Sequence, residues 1–212
     1  NSDLAAKTFE FVNEKALTFK KVDKEGNLLN GAAIKMNEGN VEVVNEFRFD
    51  PTGPVFITRI NYKQGKEYAD FKWTQGASVS EVLDIAKLKE LKIEGMMGGN
   101  SRFVNVYRIQ ETDVPNEIYV LGDDILLFKY QNAIYYTETA NGANPKDFPI
   151  SRNFNGTVNV NDNTSWKKID LTASDAQQRV IAMENIEIDG AKLILKKNDS
   201  LTGYPVAGAT LE

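Results

Sequence analysis

The stretch 15-KALTFKKVDKEGNLLNGA-32 decides the reading of this chain, because much of it returns as 191-AKLILKKNDSLTGYPVAGA-209. Each copy runs as an alternating apolar segment, a Lys-Lys pair, an Asp two residues after the second lysine, a turn, a small apolar step and Gly-Ala. Alternation of period two marks both copies as strands. Upstream, 9-FEFVNEKA-16 leads into the first copy and 180-VIAMENIEIDGA-191 into the second, each a strand that ends in Asn. Asn13 and Asn185 stand 172 residues apart (185 minus 13), and Lys21 and Lys197 stand 176 apart (197 minus 21), so only the link between strands changes length. A unit that begins again after about 170 residues belongs to a tandem array. The spacing predicts one module over 15–190. Residues 1–14 read as the last strand of a preceding unit or an N-terminal extension, and residues 191–212 as the opening strands of a following repeat.

Between the two copies, short runs rich in Val, Ile, Phe, Tyr and Thr alternate with Gly, Asn, Asp and Pro. They include 41-VEVVNEFRF-49, 55-VFITRINY-62, 103-FVNVYRI-109, 125-ILLFKY-130, 133-AIYYTE-138 and 156-GTVNV-160. Many short strands with such turns predict an all-β antiparallel sandwich or barrel. Residues 79-VSEVLDIAKLKEL-91 are the exception. Apolar positions 79, 82, 83 and 86 fit a helix for two turns, with Ser78 or Ser80 as its cap, before a strand at 91-LKI-93.

Composition narrows the function. The chain has 212 residues, 42% of them apolar, and a formal charge of −5 with no basic stripe, which argues against nucleic acid as a partner. No apolar run is long enough to cross a bilayer, so no membrane contact is expected of this fragment, and no secretory leader stands on it. Cysteine and histidine are both absent. Thiol chemistry, disulfides, Cys/His zinc sites and triads that need imidazole are therefore excluded.

Three motifs carry a resemblance. Lys21-Val22-Asp23, Gly26, Leu29, Gly31 and Ala32 match a strand of the form K-x-D…G…L-x-G-A, and Lys197-Asn198-Asp199, Gly203, Val206, Gly208 and Ala209 repeat it. In 111-ETDVPNEIY-119, Glu111, Thr112, Pro115 and Tyr119 match E-T-x-A-P-x-G-Y; Val114 replaces the small residue and Asn116-Glu117-Ile118 the shorter turn. The strand 181-IAMEN-185 closes the set. In this order the motifs resemble the Cna-B-type domains of Gram-positive pilins and cell-wall adhesins. They cover about a quarter of the chain, and segments 36–90 and 120–178 are longer than that family carries. The resemblance implies an immunoglobulin-like antiparallel β-sandwich with long insertions. It also implies an intramolecular isopeptide bond, with Lys21 as the amine, Asn185 as the amide and Glu111 as the proton shuttle. Asn13 and Lys197 would be half-sites of neighbouring modules.

Strand parity is consistent with that set. Alternate residues share a face, so Leu17, Phe19 and Lys21 form one row and Ile181, Met183 and Asn185 another. Phe103, Tyr107, Ile109 and Glu111 form a third, interrupted at Asn105. In each row the polar residue extends an apolar series. Lys20 is the rival amine, but its parity points outward; Glu117 is a spare acid. Three polar groups buried apart are costly, whereas buried together they can satisfy one another.

The expected function is structural: a stalk or shaft module of an extracellular, cell-wall or pilus protein. It would meet adjacent modules of the same protein and other pilin subunits, use no cofactor and turn over no substrate. The alternative is a ligand-binding adhesin domain, in which the two insertions bind a host protein or glycan and rings such as Trp73 and Trp166 line the surface. An enzyme comes third. The Asp/Asn-rich 159-NVNDNTSW-166 reads as a turn because it lacks the Gly and distal Glu of a calcium loop. The tail 192–210 is expected to fold back on the module or fill a neighbour's edge.

Overall fold

The computed structural model describes residues 16–72, 80–95, 99–174 and 179–188, with side chains at all of these except 47–50, 54–57, 67–72 and 80–82. The segments expected to belong to neighbouring repeats, together with Asn13, Trp73 and Lys197, lie outside the described residues. Among the described residues the fold is all-β, built from several sheets in the manner of a sandwich.

The long hairpin β2 (Ala33–Asp50) and β3 (Gly53–Lys72) turns at Pro51-Thr52 and forms one side of the large sheet. Its order is β12 (Lys167–Asp170), β9 (Ala133–Thr139), β8 (Asp124–Tyr130), β6 (Ser101–Asp113), β2 and β3, all antiparallel. Strand β5 (Lys92–Gly95) shares the β8 edge of β6, covering its first half while β8 covers the second.

A second sheet of three strands sets β1 (Ala16–Val22) between β4 (Ser80–Asp84), antiparallel, and β13 (Val180–Glu184), parallel. Strands far apart in the sequence, β1 and β13, are thus direct neighbours. Two small ribbons complete the architecture, β10 (Ile150–Arg152) with β11 (Val158–Val160) and β7 (Tyr119–Val120) with β14 (Ile186–Glu187).

The large sheet is buried on both faces. Leu17 and Phe19 of β1, Ile181 and Met183 of β13, and Leu83 of β4 pack with Ile34, Met36, Ile109, Ile125 and Leu127 on one face. On the other, Phe103, Val106, Leu126, Phe128 and Tyr135 pack with Phe148, Ile150 and Trp166. This is why 125-ILLFKY-130 is a continuous apolar run: both parities of β8 meet a core. Trp166, weighed as an adhesive ring, is spent here. Its ring centroid lies 5.2 Å from those of Phe128 and Phe148, and its indole N–H donates to the Asp147 carbonyl at 2.9 Å.

Two expectations are corrected. The helix expected from residue 79 is absent over its described part: Ser80–Asp84 pairs with β1, and only Ile85–Lys87 coil, as one 3₁₀ turn capped by the Asp84 carboxylate. Over so short a segment the helical and strand periods overlap, and the free edge of β1 decided between them by offering ladder hydrogen bonds. The row Phe103, Tyr107, Ile109 and Glu111 also breaks. Asn105, at φ 68°, is skipped in the pairing of β6 with β2 and donates its side chain to the Glu90 carbonyl. One extra residue reverses parity, so Phe103 joins Val106 in one core while Tyr107 and Ile109 face the other.

Candidate functional site

Strand β1 buries alternate residues through Leu17 and Phe19 to Lys21, and β13 does the same through Ile181 and Met183, one step beyond its end, to Asn185. In the parallel register Lys21 lies beside Met183, and the Asn185 amide N–H donates to the Val22 carbonyl at 2.9 Å. Asn185 is therefore one pleat further along the same face as Lys21. Glu111 comes from β6 in the facing sheet, after Ile109 on the same row.

The three side chains meet on one carboxyl group. Lys21 Nζ lies 3.2 Å from Glu111 Oε1, with both side chains fully buried. Asn185 Nδ2 donates to Glu111 Oε2 at 2.9 Å and to the Val120 carbonyl at 2.9 Å. These two acceptors fix which way the carboxamide faces, and they leave its Oδ1 buried without a hydrogen-bond partner. Burial pulls the Lys21 amine below its ordinary value, and the neighbouring Glu111 charge opposes that shift only in part.

A strap of backbone closes the site. Gly122 N–H donates to Glu111 Oε2 at 2.6 Å, two residues beyond the Val120 carbonyl that holds Asn185. A β-carbon on Gly122 would run into the Glu184 carbonyl oxygen and stand 3.0 Å from Lys21 Nζ. Neither contact was foreseen, since both are made by main-chain atoms. The one available signal was Gly122, three residues after the Tyr119 that ends the second motif. Lys20 is only half-buried and Glu117 is exposed, so neither takes part.

A second buried ion pair sits on the opposite parity of β6. Arg108 Nη1 meets Asp124 Oδ2 at 2.9 Å, and Nη2 donates to the Ala143 carbonyl at 2.8 Å. The same carboxylate oxygen accepts from Gln110 Nε2 at 3.1 Å and Gly142 N–H at 2.9 Å. The guanidinium lies 4.4 Å from the centre of the Tyr62 ring. Burial, with the Asp124 and Glu38 charges adding and Arg108 opposing, pushes the Tyr62 hydroxyl up to about 12.

No family model matches the chain, and no curated protein sequence matches it.

Proposed function

We propose that this chain contains a structural module of a bacterial surface stalk or shaft, an immunoglobulin-like Cna-B-type sandwich closed by a self-formed Lys21–Asn185 isopeptide bond. The meeting of Lys21, Glu111 and Asn185 on one buried carboxyl group carries this reading. That carboxyl touches the attacking nitrogen through Oε1 and the departing nitrogen through Oε2, as a proton shuttle requires. Neutral Lys21 adds through Nζ to the Asn185 side-chain carbonyl carbon. The Nζ–Cγ bond forms, the Cγ–Nδ2 bond breaks, and Glu111 passes the amine proton to Nδ2, which leaves as ammonia. Folding that gathers amine and amide around one carboxyl group would make the step effectively unimolecular, and the lowered amine value favours the nucleophilic form. The reaction runs once per chain.

The placement gives the bond its use. Lys21 and Asn185 are 164 residues apart (185 minus 21), on adjacent parallel strands through which the chain enters and leaves the module. A pull on the two ends would pass from β1 into the link and out past Asn185, without loading the large sheet. Extracellular, cell-wall or pilus placement and contact with adjacent modules follow from that role.

The intact mass of the denatured protein tests it. The wild type is expected to be one ammonia lighter than its sequence, Lys21→Ala to have the full calculated mass, and a digest to join the peptides holding Lys21 and Asn185. A full mass for folded wild type would rule the bond out.

A further inference from the structure

The ribbon of β7 and β14 carries an apolar face with no cover among the described residues. Ile186 pairs with Val120, Glu187 with Tyr119, and the ladder continues as Ile188 N–H donates to the Ile118 carbonyl at 2.7 Å. Ile118, Val120, Ile186 and Ile188 therefore share one face, and they are 53, 44, 58 and 44% exposed. Leu121, next in the chain, is 43% exposed. Tyr119, on the other face, is buried. A two-stranded ribbon is marginal in water by itself, and a contiguous exposed patch of branched residues marks a contact surface.

We infer that this face is the seat of the chain's own segment 191–209, the opening of the following repeat. Continuity argues for it. The described chain ends on the patch itself, at Ile188, and Lys192 follows four residues later, within roughly 14 Å at full extension. So short a tether holds the segment at an effective concentration that a separate molecule rarely matches. Apolar character argues for it too: Leu193 and Leu195 stand where Leu17 and Phe19 stand in the first copy, with Ile194 between them.

Charge supplies the third reason. The ribbon is fringed by exposed Glu117, Asp123 and Glu184, with Glu187 on its Tyr119 face, and the stretches 114–123 and 184–188 contain no lysine or arginine. The segment 192-KLILKK-197 brings Lys192, Lys196 and Lys197. Apolar residues set between cations match an apolar face set among acids. The next unit would then be seated directly on the end of this one, next to Asn185, so that consecutive modules meet through a fixed contact instead of a free linker. The inference does not depend on the Lys21–Asn185 bond.

Residue-resolved hydrogen exchange tests it on the full chain, a version ending at Gly190, and a full-length K192E/K196E variant. Removal of the segment is expected to speed exchange at Tyr119, Val120, Glu187 and Ile188 by about tenfold or more, and to make the shortened protein self-associate in sedimentation. The double variant tests the same contact without shortening the chain, and it should also speed exchange at the ribbon. Unchanged exchange in both altered proteins would overturn the inference. So would a full-length protein that dimerises through this face, which would put a second copy on the seat.

Discussion

Two buried ion pairs draw on the same strand, three residues apart and on opposite faces, and they are built for opposite ends. At Arg108 and Asp124 the cation's planar fork is shared between a carboxylate and a carbonyl. The carboxylate oxygen facing it collects two further donors. Such a pair has nowhere to react and serves to pin β6, β8 and the 142–143 turn together. At Lys21 and Glu111 the cation is one whose proton burial loosens. Its single charged partner lies 3.2 Å away, and an amide donates to that partner's other oxygen. The difference is one of partners: the guanidinium is forked between fixed acceptors, whereas the amine meets a carboxylate that also accepts from the Asn185 carboxamide, which under the proposed function is what would let it react.

The largest effect expected from breaking this comparison is at Asn185. Asn185→Ala would remove the proposed electrophile and with it the proposed covalent loop of more than 160 residues, worth about 5 kcal/mol through the unfolded chain. Urea unfolding should show the loss as a lower midpoint. The variant should also show a pH dependence that a wild type with the proposed cross-link would lack. Its Lys21 remains an amine whose folded value lies below the ordinary 10.5. Between those two values the unfolded chain binds more protons than the folded one, so stability rises with pH across that window and is lowest beneath it. The gap between variant and wild type should narrow as pH climbs toward 10.5, and urea midpoints measured across pH would check it.

Arg108→Met comes next. It strands a fully buried Asp124 carboxylate, at a cost of about 3–5 kcal/mol, read as a lower melting temperature. It should leave the mass deficit expected of the proposed cross-link untouched, because the two sites face away from each other. Loss of the deficit in folded Arg108→Met would show that the sites are coupled through β6.

Gly122→Ala is the smallest and the most discriminating. The new methyl must displace either the Glu184 carbonyl or the Lys21 amine, for about 1–3 kcal/mol of overpacking. The strap that holds Glu111 and Asn185 would shift with it. Denatured mass, followed over time after refolding, should show the ammonia lost more slowly than in wild type. An unchanged rate would reduce the strap to packing.

Much of the site was legible because strand parity is a local property. Lys21 continues the row of Leu17 and Phe19, and Asn185 the row of Ile181 and Met183. A polar residue in register with apolar ones is a sign of a paired burial that needs no tertiary information. The same rule failed at Phe103, where the left-handed Asn105 inserts a bulge and reverses the row. It failed again at 80–86, where a segment too short to separate two periods took its conformation from the edge of β1. Trp166 and the ring cluster around Phe128 read equally well as surface or core until the β10–β11 ribbon and the loop at Phe148 covered that face.

By itself, then, the sequence determined the all-β class, the β1 strand, and the faces on which Lys21 and Asn185 lie, because these depend on residues a few positions apart. The tertiary structure alone decided that β1 and β13 run side by side and that Glu111 reaches across from the facing sheet. It decided as well that the Gly122 amide and Val120 carbonyl complete the enclosure, and that Arg108 has a buried acid of its own. Those are contacts between segments far apart in the chain, several of them made by main-chain atoms that every residue carries, and no local pattern of side chains encodes them.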